Sequence, residues 1–283
     1  MGCGLITLSG ICRDAGVSAD KRFNYGDRDS DRRIAYMPER RDDLRACLKD
    51  RSERLGAVAF GIVSPDDMDA LPRIRVVEFV TRWSKLVREV MPEARSVIVF
   101  GVPSLDDSDE LEVRRASRKF SYPGYHRIKL IQRDLESFLL MNGYRAAPIW
   151  ELVSHKRLAV LAGIGAYGKS SLVISPRHGP WLRIGAVVTD APIPKDRPFT
   201  KDLCGKCRRC VNACPSGALR PFTVDPKKCL VLIGSMDETP RGYGRMLEDH
   251  APLVTPNARR MCTECQMACP YTPPGRRENV LVK

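Results

Sequence analysis

The chain has 283 residues, is 43% hydrophobic and carries a formal net charge of +13 at pH 7. That length and apolar content can bury a sizeable core in one large domain or two modest ones, which excludes a small disulfide-stapled scaffold. No run of about 18 apolar residues occurs, so no membrane span is expected, and the basic balance favours a polyanionic or acidic partner.

The opening MGCGLITLSGIC has no basic residue ahead of its apolar run and no small-residue cleavage pattern, and reads as neither signal peptide nor anchor. Residues 1–50 form a charged lead-in of mixed sign, with helix expected from Asp42 onward. AVAFGIV (57–63) and SVIVFGV (96–102) are short β-rich runs, and the intervening 74–91 spaces its apolar residues roughly as a helix does. Residues 124–142 read as an amphipathic helix ending at Gly143, 145–150 as a strand, and 155–162 as a helix stopped by Gly163. Two further strands, 172–175 and 181–189, are expected on either side of the turn PRHGP. This alternation predicts an α/β layer domain over 51–195 followed by a cysteine- and proline-rich module over 196–283.

The segment AGIGAYGKSS (162–171) fits both the G-x-G-x-x-G dinucleotide pattern and the G-x-x-x-x-G-K-S phosphate loop. Both need a strand before the glycines and a helix after them, because the helix N-terminus supplies the amides that hold phosphate. Here the expected order is reversed, and Pro176 leaves little room for a helix after Ser170. No nucleotide is expected at 163–170; the glycines read as a tight turn that lets helix and strand pack closely.

Eleven cysteines are present, and eight lie between residues 204 and 269. Cys3, Cys12 and Cys47 lie outside that stretch and read as ordinary thiols. The stretch opens with Cys204-x2-Cys207-x2-Cys210-x3-Cys214-Pro215, the bacterial ferredoxin spacing for [4Fe–4S] clusters. In that spacing three thiolates clasp one cube and the fourth serves the other. A second run, Cys262-x2-Cys265-x3-Cys269-Pro270, is one ligand short, with Arg259 at the vacant position and Cys229 left over. The economical assignment puts Cys204, Cys207, Cys210 and Cys269 on one cluster, and Cys214, Cys229, Cys262 and Cys265 on the other. Zinc is the competing metal, since paired C-x2-C motifs also suit tetrahedral sites. Nine Lys or Arg and three Asp lie between Lys195 and Lys228, a surface suited to anionic clusters or to an acidic electron donor such as flavodoxin or ferredoxin.

The cysteine arrangement, with its displaced Cys229, resembles the epoxyqueuosine reductases and their relatives the reductive dehalogenases. Upstream, 92–101, the Tyr125-His126 pair within 122–130, and the glycine-rich 162–193 are similar to the same family. Gly168-Lys169 is closer to the epoxyqueuosine branch, while the Pro-Arg-x-Gly-Pro turn and Arg183 are closer to the dehalogenase branch. The resemblance implies an α+β protein: a nitroreductase-like α/β layer domain holding cobalamin, then a ferredoxin-like double [4Fe–4S] module that delivers electrons to cobalt. It implies that the turn containing Gly163, Gly165, Tyr167, Gly168 and Lys169 lies near the corrinoid. It also implies a reductase whose substrate is a tRNA-borne nucleoside or a small organic molecule; the cysteine usage, with no secretion signal visible, leads one to expect a reducing cytoplasm.

Two positions depart from the family. Its proton-donating Asp aligns without a gap to Ile149, and a short gap brings Glu151 into register; Glu151, His155 or Tyr125 is then the expected proton donor. Gly124 replaces the Asp of the family's Asp-Tyr-His element. These departures keep two other classes open: an electron-transfer protein with no corrinoid, and a zinc-stabilised RNA-binding module.

Overall fold

The computed structural model describes residues 41–78, 80–115, 119–150, 152–236 and 238–278. Helix α1 (Arg41–Arg54) begins where helix was expected, and its Leu44 and Leu48 are buried. Strand β1 (Ala59–Val63) leads into the short helix α2 (Pro65–Asp69), capped by the Ser64 side chain accepting from the Asp66 amide, with Pro65 at its first position. The run 74–91 is not one helix. It forms a hairpin of β2 (Arg75–Glu78) and β3 (Val80–Trp83), followed by one helical turn, α3 (Val87–Val90). Val76, Val77, Val80 and Thr81 are β-branched, and their preference for extended backbone outweighs the apparent helical spacing.

Next come β4 (Ser96–Pro103), β5 (Leu111–Arg115), β6 (Lys119–Ser121), α4 (His126–Met141), β7 (Ala146–Ile149) and α5 (His155–Leu161). Helix α4 ends at Gly143 and α5 at Gly163, glycines with φ of 80° and 75° that let the chain turn left-handed. Then follow β8 (Ala166–Tyr167), β9 (Val173–Ile174) and β10 (Leu182–Thr189).

The central sheet is antiparallel with order β1-β4-β10-β7. Seven of the eight residues of β4 are buried, so the strand is covered on both faces. Ile98, Phe100 and Val102 face α1 and α4, against Leu48, Ile128, Ile131 and Leu135. Val97 and Val99 face the other way, against Leu158, Ala159 and Ala162 of α5. This period-2 alternation gives helices on both sides of one sheet. The two strands flanking PRHGP do not pair with each other: β9 pairs with β8, β10 joins the central sheet, and a single bridge from Ser175 to Gly179 closes the turn.

The remaining elements are α6 (Arg209–Asn212), β11 (Leu219–Arg220), β12 (Thr223–Val224), α7 (Leu230–Gly234), α8 (Gly244–His250), β13 (Leu253–Thr255), β14 (Ala258–Arg260), α9 (Glu264–Met267) and α10 (Pro274–Glu278). A second sheet, β13-β14-β5-β6, takes two strands from each half of the chain. Beside it, the 3-10 turn Asp107–Glu110 carries Asp107, whose buried carboxylate takes Arg260 at 3.1 Å and Arg276 at 2.7 Å. The Arg276 guanidinium also lies 4.0 Å over the ring of Trp181, and the Trp181 indole N–H donates to Thr272. Through these contacts the cysteine-rich half is sewn to the central sheet. Among the described residues, no helix is long and apolar enough to cross a membrane.

Candidate cluster and electron-transfer site

The cysteines sit on loops and one-turn helices. Asp202 Oδ1 accepts the amides of Cys204 at 2.8 Å and Gly205 at 3.1 Å, and Gly205 turns left-handed with φ of 43°. These two N–H bonds hold the Asp202 carboxyl below the usual range. The Asx turn folds Cys204 and Cys207 back toward Cys210 at the start of α6. Pro215 and Pro270 follow Cys214 and Cys269 just past α6 and α9, where the chain cannot continue as helix. Cys229 is the residue before α7, and the Ala218 amide donates to Cys214 Sγ at 3.3 Å.

The thiols fall into two groups by which of them feel one another. Burial raises the Cys269 thiol, and Cys204, Cys210 and Cys207 beside it raise it further. Burial also raises Cys210, which feels Cys204 and Cys207. On the other side, burial raises Cys229, which feels Cys214, and pushes Cys262 up to about 11, with Cys229 and Cys214 adding to it. Cys265 is raised by burial and, in decreasing order, by Cys262, Cys229 and Cys214, with Cys210 of the first group adding less. Each group is four soft donors whose mutual repulsion as thiolates calls for cationic iron, which fits one cube each. The first four also line a cavity with Lys169, Ser170, Ile174 and Tyr271. Among the described residues, no three His, Cys, Asp or Glu side chains converge on a single-ion point. A cube has one thiolate per iron and does not require such convergence.

The glycine-rich turn lies against this cavity. It follows a helix and enters a hairpin, α5 then β8 and β9, the local order read from the sequence. A side chain at Gly165 would stand 2.3 Å from the Ile174 carbonyl, and one at Gly168 would stand 2.6 Å from the Ile174 side chain. The chain's own hairpin therefore demands these glycines. At the hairpin tip, the Lys169 amide points at Cys204 Sγ at 3.4 Å. Its ammonium donates to the carbonyls of Gly205 and of Cys207, the latter at 3.0 Å. Tyr167 is exposed.

The three expected proton donors are placed differently. Tyr125 closes the 3-10 turn before α4, is 41% exposed, and lies under the Arg183 guanidinium at 4.8 Å. Burial opposes the charge of Arg183, but Glu110 at 3.0 Å, with Tyr125 and Asp109, holds its pKa above the ordinary value. Gly124 is explained by the same arginine: a Cβ there would meet both Arg183 Nε and the Asp109 carbonyl at 2.4 Å. The ring nitrogens of His155 lie 3.0 Å from the Ile149 carbonyl and 3.1 Å from the Val153 carbonyl; burial lowers its pKa, and the neutral ring donates its one N–H to one of the two. Ile149 is buried in the sheet, paired with Ala186. Glu151 lies outside the described residues.

Sequence reasoning did not single out Asp202 or the Lys169 contacts. An Asp two residues before a Cys-Gly pair is the available signal, since that is where an Asx turn forms. The reach of Lys169 to a loop 36 residues away had none.

Residues 203–272 match the 4Fe-4S double cluster binding domain. Epoxyqueuosine reductase of Yersinia pestis is 36% identical over 127 residues, 44% of this chain and 28% of that protein. The epoxyqueuosine reductase of Synechococcus sp. (strain RCC307) is 30% identical over 191 residues, 64% of this chain and 56% of that protein. The matched region thus spans between 28% and 56% of these relatives' length. Among solved structures, epoxyqueuosine reductase from Bacillus subtilis superposes with a TM-score of 0.62 at 17% identity, covering 84% of this chain and 67% of that one. A catabolic reductive dehalogenase in complex with 3-bromo-4-hydroxybenzoic acid superposes at 0.55 and 20% identity, covering 82% and 32%. At such identities the likeness is one of fold. The fold and the matched domain define an α+β iron–sulfur protein with a ferredoxin-like double-cluster module. Its relatives are the epoxyqueuosine reductases, with the reductive dehalogenases as structural neighbours, so the family resemblance read from the residues is borne out.

Proposed function

We propose that this chain is an iron–sulfur reductase that passes electrons through two [4Fe–4S] clusters to an acceptor beside its glycine-rich turn. Cys204, Cys207, Cys210 and Cys269 hold one cluster; Cys214, Cys229, Cys262 and Cys265 hold the other. The observation that carries this is the one cavity lined by Cys204, Cys207 and Cys210 of the first motif together with Cys269 of the second; the mutual effects of Cys214, Cys229 and Cys262 on Cys265 support the other four. Cys210 of the first group acts on Cys265 of the second, which supports neighbouring cubes suited to single-electron steps. Lys201, Lys206, Arg208, Arg209, Arg220, Lys227 and Lys228 are exposed around the module and suit an acidic donor such as flavodoxin or ferredoxin.

The proposed acceptor is cobalamin, on the strength of the relatives; one neighbouring reductive dehalogenase structure is described as suggesting a B12-dependent mechanism. The corrinoid's chemistry, when bound, is electron transfer from cobalt to the substrate. The turn gives no fit comparable to that of the thiols. Gly165 and Gly168 are consumed by packing against Ile174, and Lys169 is engaged with the cysteine loop, which leaves the exposed Tyr167 facing outward. Of the chain's own residues, Tyr125 is offered to solvent beneath a fixed cation, and Glu151 stands two positions after the end of β7 in the sequence. These two are the proposed proton donors. His155 would have to break a carbonyl bond to serve, so we assign it to holding the 149–155 loop.

A tRNA-borne nucleoside is the proposed substrate. The net charge of +13 supports it, as does a neighbour of TM-score 0.63 solved with an epoxyqueuosine-modified tRNA stem loop. A second reading, an electron-transfer protein with no corrinoid, is favoured by Ile149, a buried aliphatic where the family's acid aligns. Metal analysis of anaerobically purified protein separates the readings. About eight iron and one cobalt per chain support the reductase, and about eight iron without cobalt supports the carrier. Zinc without iron overturns both. Glu151→Gln with turnover unchanged on an identified substrate removes Glu151 as the acid.

A further inference from the structure

We infer that Lys169 is a positioning residue for the first cluster, raising its reduction potential and providing the contact through which its electron leaves the cysteine module. The inference rests on the proposed assignment of Cys204, Cys207, Cys210 and Cys269 to one cube. Three bonds from this one residue cross between the α/β half and the ligand loop. The amide donates to Cys204 Sγ at 3.4 Å, and the ammonium donates to the Gly205 carbonyl and to the Cys207 carbonyl at 3.0 Å. Lys169 also lines the cavity bounded by the four thiols.

An N–H bond to a ligand sulfur withdraws electron density from the cluster, and a fixed cation nearby favours the extra electron of the reduced state. The second group has a matching amide, Ala218 to Cys214 Sγ at 3.3 Å. Amide bonding therefore does not separate the clusters. A lysine charge also reaches the second group, Lys156 acting on Cys229; what the first group adds is an ammonium fixed by two hydrogen bonds to its own ligand loop. The opposing charge is Asp202, whose carboxylate takes the Cys204 and Gly205 amides. Asp202 is exposed and Lys169 half-buried, so solvent screens the carboxylate more than the ammonium. Lys169 is also the tip of the β8–β9 hairpin, so the Cys204 Sγ contact is a hydrogen-bonded step from the cluster into the glycine-rich turn.

The test is a set of anaerobic redox titrations followed by electron paramagnetic resonance, on wild type, Lys169→Gln and Lys169→Arg, with iron counted in each. In Lys169→Gln one cluster should become harder to reduce, its reduced-to-oxidised ratio at a fixed poise falling about tenfold, which for one electron is about 59 mV. The other cluster should not move, and Lys169→Arg should restore most of the shift. Full iron content with both potentials unchanged in Lys169→Gln overturns the inference while leaving the cluster assignment standing. A wild-type protein without iron overturns the assignment itself. Should Lys169→Gln lose iron, Lys169→Arg at full occupancy is compared with wild type under stepwise-raised salt. A first-cluster potential that stays near wild type in Lys169→Arg and falls as salt is raised supports the inference; one that does not move with salt in either protein overturns it.

Discussion

The proposed exchange of ligands between motifs makes a specific forecast for Cys269. Along the chain it neighbours Cys262 and Cys265, yet the thiols that add to the effect of burial on it are Cys204, Cys210 and Cys207, as the spacing leads one to expect. Cys269→Ala should therefore empty the cluster built on the first motif and spare the one nearest in sequence. Cys229→Ala should do the opposite, removing one of the four thiols that perturb one another around Cys265. A cube left with three protein thiolates is expected to be lost on purification. Each substitution should then take iron from about eight to about four per chain, and the double substitution to about zero. The assay is iron and sulfide determination together with electron paramagnetic resonance of the reduced protein. Wild type should show two interacting paramagnets, and each single variant one isolated signal. The two isolated signals should differ, because different cubes survive. If Cys229→Ala and Cys269→Ala leave the same signal, both residues serve one cube and the grouping is wrong. If either retains about eight iron, that residue is not a ligand. Cys47→Ser should change neither quantity.

Removing the carboxylate in Asp107→Ala leaves Arg260 and Arg276 buried without their shared partner, and should cost about 3–5 kcal/mol in equilibrium unfolding. A loss under about 1 kcal/mol shows the triad to be dispensable. Gly124→Asp restores the residue that the family resemblance leads one to expect. It must displace Arg183 or the Asp109 backbone, and should lower stability by about 1–3 kcal/mol; a fully stable Gly124→Asp refutes that packing account. Burial holds the His155 pKa down, so the unfolded chain takes up a proton before the folded one as pH falls. The stability carried by neutral His155 is then complete above about pH 6.5 and declines below it; His155→Gln should flatten that decline in denaturation midpoints measured from pH 5 to 8.

The cysteine module was the most legible part of the chain, because its chemistry is local. Three- and four-residue spacings fix which thiols share a turn, and Pro215 and Pro270 mark where each turn stops. The central sheet was legible for a similar reason, with β4 and β10 being runs long and apolar enough to be buried. The hairpin at 75–83 was not, since a short stretch rich in valine can satisfy helical and strand periods at once. Gly124 read as a lost acid until its neighbour was known. Only the fold brings Arg183, 59 positions later, to within 2.4 Å of where a Cβ would stand. The Lys169 bridge was hidden in the same way: a motif said that a lysine follows the glycines, but not which loop it would hold.

The mixed sheet has a consequence for biogenesis. In the register of β5 and β14, Val113 stands opposite Ala258, a partner that the ribosome adds 145 residues later. At about 5–20 residues per second, a nascent β5 waits roughly 7–30 s with its hydrogen-bonding edge bare. During that interval it is a template for other unfinished chains, so overexpression should favour inclusion bodies unless translation is slowed. Cys262, Cys265 and Cys269 are themselves added only after β14, so the proposed ligand sets are complete no earlier than the strand that closes this seam.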